Sequence, residues 1–105
     1  MELTKNADSF TEQQEIFTGE MISRIADHLE ASGIEGEKLK ELTGQIAFTV
    51  ASMLDGVSDI SFDGSVAKPL LTFFTNDEEV IDFGGNSYTH ELVYGILNAM
   101  FDSNT

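Results

Sequence analysis

The chain has no cysteine, no tryptophan, one proline and only five lysine or arginine residues among 105. Without cysteine, disulfide frameworks and thiolate metal sites are excluded. No apolar run approaches the roughly 20 residues that cross a bilayer. The first ten residues, MELTKNADSF, contain no apolar segment typical of a signal peptide. We therefore expect a cytoplasmic protein that does not enter a membrane.

Acidic residues dominate the charge. Nineteen aspartates and glutamates against five basic residues give a net charge of −14. Such a surface repels nucleic acids and anionic lipids, and it attracts basic partners. The alternative interpretation is that the charge only keeps the protein in solution. In either case we expect no direct binding of nucleic acid.

Three helices are predicted, over about residues 10–31, 35–54 and 88–101. Ser9 and Glu12 have the spacing of a capping box at the first start. Apolar residues at helical spacing predict the buried faces. The predicted faces are Phe17, Met21, Ile22, Ile25 and Leu29 in the first helix, Leu39, Leu42, Ile46, Val50, Met53 and Leu54 in the second, and Leu92, Val93, Ile96, Leu97 and Met100 in the third.

Between the second and third helices the apolar spacing changes to two, which predicts strands near residues 60–62, 70–75 and 80–83. We expect a single α+β domain over 1–105, with residues 1–8 loose. It has two N-terminal helices, a three-stranded antiparallel meander and a C-terminal helix. A turn is predicted at Asp63-Gly64-Ser65. The buried sheet face would carry Ile60, Phe62, Leu71, Phe73, Ile81 and Phe83. The other face would carry Leu70, Phe74 and Val80, a set that needs a second helix layer or a partner to cover it.

The segment Gly84-Gly85-Asn86-Ser87 stands between the last strand and the last helix. A helix start after two glycines is able to bind an anion through free N–H groups. A phosphate loop also needs a lysine, and the only basic residue in 57–105 is Lys68. We therefore interpret the segment as a turn followed by an N-cap at Asn86 or Ser87.

The two histidines, His28 and His90, lie at the borders of predicted apolar faces. His90 has Asp82 and Glu91 nearby in sequence as acidic partners for a base, but the chain offers no nucleophile motif. We interpret both histidines as structural. The acidic segment 76–79 does not have the spacing of a calcium loop, so we predict a solvated hairpin tip and no metal. No cofactor is expected.

These patterns predict a small non-catalytic interaction protein that binds a basic protein, with an inhibitor or immunity-type protein as the specific version. The predicted partner-binding residues are Phe48, Leu70, Phe74, Val80, His90, Tyr94, Phe101, Asp77, Glu78 and Glu79. One alternative is a small enzyme or ligand-binding domain with a pocket between the sheet and the C-terminal helix, where His90, Tyr94 and Asp82 would be the residues to test. Another is a homodimer formed through the sheet face or through the small residues Gly44, Ala47 and Ala51.

Overall fold

A computed structural model describes residues 3–75 and 79–102 of the chain. It is an α+β structure with three helices and short strands in two small sheets. In chain order the elements are β1 (Leu3–Lys5), α1 (Ala7–Ala31), α2 (Gly36–Leu54), β2 (Ser61–Phe62), β3 (Ser65–Val66), β4 (Phe73–Phe74), β5 (Val80–Asp82) and α3 (Thr89–Asp102). Among the described residues, no helix has both the length and the hydropathy to cross a membrane.

The N-terminal segment is ordered where we expected loose chain. Leu3–Lys5 forms β1, and α1 begins at Ala7. The Asn6 side chain accepts a hydrogen bond from the Ser9 N–H at 3.1 Å, so Asn6 is the N-cap. The capping box predicted from Ser9 and Glu12 is wrong, because an earlier residue satisfies the free N–H group. The Ser9 hydroxyl instead accepts from the Gln13 side chain.

The main sheet has the order β1-β5-β4, and the antiparallel meander predicted from the sequence is wrong. β4 and β5 are antiparallel, whereas β1 pairs with β5 in the parallel direction, with Thr4 opposite Ile81. The segment near residue 60 was expected as the first meander strand. The third strand of the sheet is instead the N-terminal β1, and it lies beside β5 and not beside β4. Period-two spacing alone does not say which segments pair.

Residues 61–66 form a separate two-stranded hairpin, β2–β3. Its turn residues Asp63 and Gly64 have φ of 52° and 84°. Two positive φ angles in a two-residue loop are typical of a type I′ turn, which Asp-Gly favours. The turn predicted at this position is confirmed. Phe62 and Val66 are 86% and 70% exposed, so Phe62 is not part of the buried sheet face predicted for it.

The three helices pack against one another around a small core of Ile22, Ala47, Ala51, Val93 and Leu97. Helix α2 faces this core with the side that carries Gly44, Ala47 and Ala51. A Cβ atom on Gly44 would lie 2.7 Å from Leu97 Cδ2 and 3.2 Å from Tyr94 Cε1, so the missing side chain lets α3 approach closely. The small-residue edge offered above as a dimer surface is therefore used within the chain.

One face of the main sheet packs on α1 through phenylalanines. The Phe10 ring lies 5.2 Å from Phe73 and 5.7 Å from Phe83, measured between ring centroids. Phe10 and Ile81 are buried. The opposite face is left open, with Leu70 54% and Phe74 64% exposed. The expected second layer of helices over that face is absent from the described residues.

Two mid-helix glycines allow a direct test of the close approach. A methyl group added at Gly19 of α1 would lie in open space, whereas one added at Gly44 would contact Leu97. Gly19→Ala should stabilise the fold by about 0.8 kcal/mol, because alanine favours helix more than glycine does. Gly44→Ala gains the same preference but crowds a packed core, and should destabilise by about 1 kcal/mol net. Urea unfolding of both variants measures the difference. Equal stabilisation would contradict the packing described for α3.

Candidate functional site at the start of the third helix

A buried carboxylate, Asp55, stands at the junction between α2 and α3. It is the C-cap residue of α2 and has no exposed surface. A negative charge is unfavourable at the C-terminal end of a helix, where the backbone carbonyls point outward. The position therefore needs a compensating source of positive potential. The N-terminus of α3 provides it, since the free backbone N–H of His90 in its first turn donates to the same carboxylate.

Four donors bind the two oxygens of this carboxylate. Oδ1 accepts from the Ser87 hydroxyl at 2.5 Å and from the Thr89 hydroxyl at 2.8 Å. Oδ2 accepts from the His90 backbone N–H at 2.7 Å and also bonds the His90 ring at Nδ1. We call Asp55, Ser87, Thr89 and His90 the Asp55 cluster. All its donors except those of His90 come from residues that are themselves buried.

The hydrogen bonds determine the ionisation of Asp55. Burial alone raises the pKa of a carboxyl group, because it disfavours the charged form. Here the backbone N–H of His90, the Ser87 hydroxyl, the His90 ring and the Thr89 hydroxyl together outweigh burial, and the pKa of Asp55 lies below its ordinary value. The carboxylate is therefore ionised at neutral pH and acts only as an acceptor. Nδ1 of His90 accordingly carries the proton in this bond.

The Asp55 cluster identifies the anion at the helix start that follows Gly84 and Gly85. The start of α3 does bind an anion, but the anion is the chain's own Asp55. Gly84 adopts a φ of 89° and donates its N–H to the Asp82 side chain at 3.2 Å, which forms the turn. Capping of α3 by Asn86 or Ser87 is wrong, since α3 begins at Thr89 and the Ser87 hydroxyl binds Asp55.

A second buried contact fixes the same helix start against α1. The Tyr88 N–H donates to Gln14 Oε1 at 2.6 Å, and Gln14 is completely buried. The Tyr88 hydroxyl also lies 3.3 Å from the Thr11 hydroxyl. The start of α3 is thus held by α2 through Asp55 and by α1 through Gln14. Both contacts join residues that are far apart in the sequence.

The acid–base pair suggested for His90 has a different partner from those considered. His90 bonds Asp55, while Asp82 accepts from Gly84 and Glu91 is exposed. Ser87 and His90 both bind the same carboxylate. In a nucleophile relay the histidine stands between the hydroxyl and the acid. Here Asp55 lies between Ser87 and His90 and accepts from both, so the three residues do not form such a relay.

Three aromatic residues proposed to contact a partner do come together beside the Asp55 cluster. Phe48 lies 6.1 Å from the His90 ring and 5.7 Å from the Tyr94 ring, between centroids. Phe48 and Tyr94 are 38% and 48% exposed. Phe101 does not extend this group, because it packs against the helical core. The aromatic contact is therefore smaller than the sequence predicted.

The other proposed contact residues lie elsewhere. Leu70 and Phe74 are exposed, Val80 is half-buried in β5, and Glu79 is exposed beside the open sheet face. Glu79 is also tied back to Thr75, since its N–H donates to the Thr75 hydroxyl. Asp77 and Glu78 lie outside the described residues. The proposed set thus divides into two groups, one at α3 and one at the sheet.

A further surface on α1 was missed in the sequence. We call Glu12, Glu15, Ile16, Phe17 and Glu20 the α1 surface; all five are exposed. On one side a depression of about 360 Å³ is lined by Gln13, Ile16, Phe17, Glu20 and Phe73. On the other a groove of about 440 Å³ runs between α1 and α3, lined by Glu15, Gly19, Glu91, Leu92, Gly95 and Ile96.

Simple signals mark the residues that were missed. Ile16 stands in an acidic stretch and falls outside the predicted apolar face of α1, so it had no predicted partner inside the chain. Asp55 stands at the end of a helix where an acid is unfavourable. Either anomaly points to an interaction beyond the local helix. Neither one identifies the partner residue.

Comparisons with known proteins add no assignment. The chain matches no protein-family model, and neither a curated protein nor a solved structure shows significant similarity to it.

Removing the Asp55 carboxylate should cost a large part of the stability. Asp55→Ala leaves two hydroxyls and the start of α3 without their acceptor inside the protein. We expect a loss of about 3 kcal/mol in the free energy of unfolding, measured by urea denaturation. Asp59→Ala, at an exposed aspartate four residues away, is the control and should change stability by less than about 0.5 kcal/mol. A small effect of Asp55→Ala would contradict the role assigned to this carboxylate.

The stabilisation by Asp55 should also depend on pH. Because its pKa is lower in the folded than in the unfolded chain, the contribution is complete above the unfolded pKa of about 3.9 and is lost as the pH falls through the folded pKa. The difference in unfolding free energy between wild type and Asp55→Asn should therefore shrink between about pH 5 and pH 2. Other carboxylates titrate in both proteins, so the difference isolates Asp55. A difference that grows on acidification would contradict the assigned ionisation.

Proposed function

We propose that this chain is a small, acidic, non-catalytic interaction protein that binds a basic segment of another protein on the α1 surface. The observation that carries the proposal is an apolar anchor set between carboxylates. Ile16 is 64% exposed, and the exposed Glu12 and Glu20 stand one helical turn before and after it. A partner that fits places an apolar side chain on Ile16 and basic side chains on either side.

The anchor is wider than one residue. Phe17 is 36% exposed, and its ring lies 6.2 Å from Phe73 of the edge strand β4. Together with Ile16 these rings give an apolar area in the depression beside α1. Exposed aromatic and aliphatic residues of this kind act as interface anchors when a partner excludes water from them. The surrounding acids then contribute to the rate and selectivity of association.

The groove between α1 and α3 also combines apolar residues with carboxylates. Two of its lining residues, Gly19 and Gly95, have no side chain, and two others, Leu92 and Ile96, are apolar. Glu15 and Glu91 complete the lining. A lysine or arginine side chain matches this combination, because its aliphatic stem packs on apolar surface while its charged end stays with carboxylates. A basic amphipathic helix or loop offers such side chains beside apolar ones.

The non-catalytic part of the proposal is supported by the Asp55 cluster. Its carboxylate accepts from four donors, and Ser87 and His90 each bind it directly, so His90 does not stand between the hydroxyl and the acid. The strongest acid–histidine pair of the described residues is thus employed in joining two helices. The net charge of −14 supports the finer version, in which the partner is a nucleic-acid-binding protein whose basic site is blocked by carboxylates in place of phosphates.

The test compares two exposed apolar residues that differ in their surroundings. Wild type, Ile16→Ser and Val66→Ser are immobilised and used to capture proteins from a lysate of the source organism, with elution by rising salt and mass spectrometry. We expect a basic protein that is retained by wild type and by Val66→Ser. Ile16→Ser should weaken its binding about tenfold or more, measured by calorimetry with the purified partner.

Val66 is the control because it is also exposed, at 70%, but lies in a segment, residues 64–70, without acids and outside α1. Salt should weaken binding of the partner, since opposite charges attract less when screened. Retention of no basic protein, or equal binding by wild type and Ile16→Ser, would contradict the proposal.

A further inference from the structure

Helix α2 packs against the other helices through the side that carries its small residues. On another side it leaves a line of large apolar residues partly exposed. Its buried residues are Leu39, Thr43, Gly44, Ala47 and Ala51. Ile46, Val50 and Met53, which we call the α2 stripe, are 39%, 38% and 40% exposed. The sequence predicted these three as part of the buried face, and that prediction is wrong. Their spacing of four and three residues is that of a helix–helix contact.

The part of α2 that carries the stripe has no charged residue. No residue from Leu42 to Leu54 is acidic or basic, although 23% of the whole chain is charged. The exposed neighbours Gln45 and Thr49 are polar and neutral. The nearest charged residues on the helix are Glu41 and, beyond its other end, Asp55, which is buried. Along α2 the stripe is therefore bordered by neutral residues, whereas Ile16 on α1 stands between glutamates.

We propose that the α2 stripe is the contact surface for a second copy of this chain, in a symmetric dimer. Two copies with a net charge of −14 repel each other, so they associate best where the surfaces that meet are neutral. A basic partner, in contrast, is attracted by negative charge and therefore binds best at the carboxylates of α1. In a two-fold dimer the same patch meets itself, and an apolar stripe is complementary to itself.

The dimer has a distinctive response to salt. Screening weakens the repulsion between two acidic copies, and it leaves the apolar contact in place. Self-association through the α2 stripe therefore strengthens as the ionic strength rises. Binding of a basic protein on the α1 surface weakens under the same change. The salt response separates this inference from the proposed function, and failure of either one does not decide the other.

The experiment places one charge in the stripe and one beside it. Sedimentation equilibrium of wild type, Val50→Glu and Gln45→Glu is measured at low and at physiological salt. We expect a wild-type dimer with a dissociation constant that falls as salt is added. Val50→Glu should raise this constant at least about a hundredfold, because an unpaired carboxylate would be buried in an apolar contact. Gln45→Glu adds the same charge at an exposed neutral neighbour and should raise it less than about tenfold.

The far-ultraviolet circular dichroism of Val50→Glu should match that of wild type, because the substituted side chain lies on the surface. If this variant does not fold, Val50→Cys gives an independent readout, since the chain has no other cysteine. Under mild oxidation Val50→Cys should form a disulfide-linked dimer much faster than Ser32→Cys, at an exposed position after α1. A wild-type monomer at millimolar concentration and high salt would overturn the proposal. So would a dimer that tolerates Val50→Glu.

Discussion

The Asp55 carboxylate is the constraint on which the rest of the structure depends. It is a buried charge at the unfavourable end of one helix, and it is stable there because the favourable end of another helix lies against it. Its pKa is lowered in spite of burial, which shows that the donors around it outweigh the loss of water. A capping group supplied from α2 therefore holds the first turn of α3 at a fixed place. Gln14 of α1 then fixes the preceding residue, Tyr88, from the other side.

The close approach of α3 follows from this anchor. With its first turn held at Asp55, α3 runs back along α2 and brings Tyr94 and Leu97 over Gly44. The side of α2 that can accept another helix at this distance is the one with glycine and alanine. The large residues Ile46 and Val50 are then directed away from the core. The polar anchor thus explains why α2 exposes the side chains that hydrophobicity alone would bury.

The sequence predicted the parts of the fold that depend on local chemistry. The three helices were identified to within a few residues, and the turn at Asp63 and Gly64 was correct. The buried face of α2 was not, because helical spacing reports where large apolar residues stand and not which side a neighbouring helix can reach. Strand pairing was also beyond reach: β1 joins β5 from the other end of the chain, and a three-residue strand gives almost no periodic signal.

The same distinction applies to the candidate site. His90 was singled out, but its partner Asp55 lies 35 residues away and is brought to it by the packing of two helix ends. Phe48 was among the predicted partner-binding residues. Its contacts with His90 and Tyr94 could not be deduced without the orientation of α3. Local motifs identify residues that do not fit their surroundings, whereas only the fold identifies what they meet.

The distribution of charge gives the molecule two surfaces with different physical requirements. Residues 12–20 of α1 combine apolar side chains with glutamates, while residues 42–54 of α2 combine them with neutral groups. An acidic border favours a basic protein at a distance, through long-range attraction, and disfavours another copy of the same chain. A neutral border offers no long-range attraction, but it removes the repulsion that two copies would otherwise meet. Because the two proposed surfaces use different residues on different helices, a dimer through α2 would not use the Ile16 anchor.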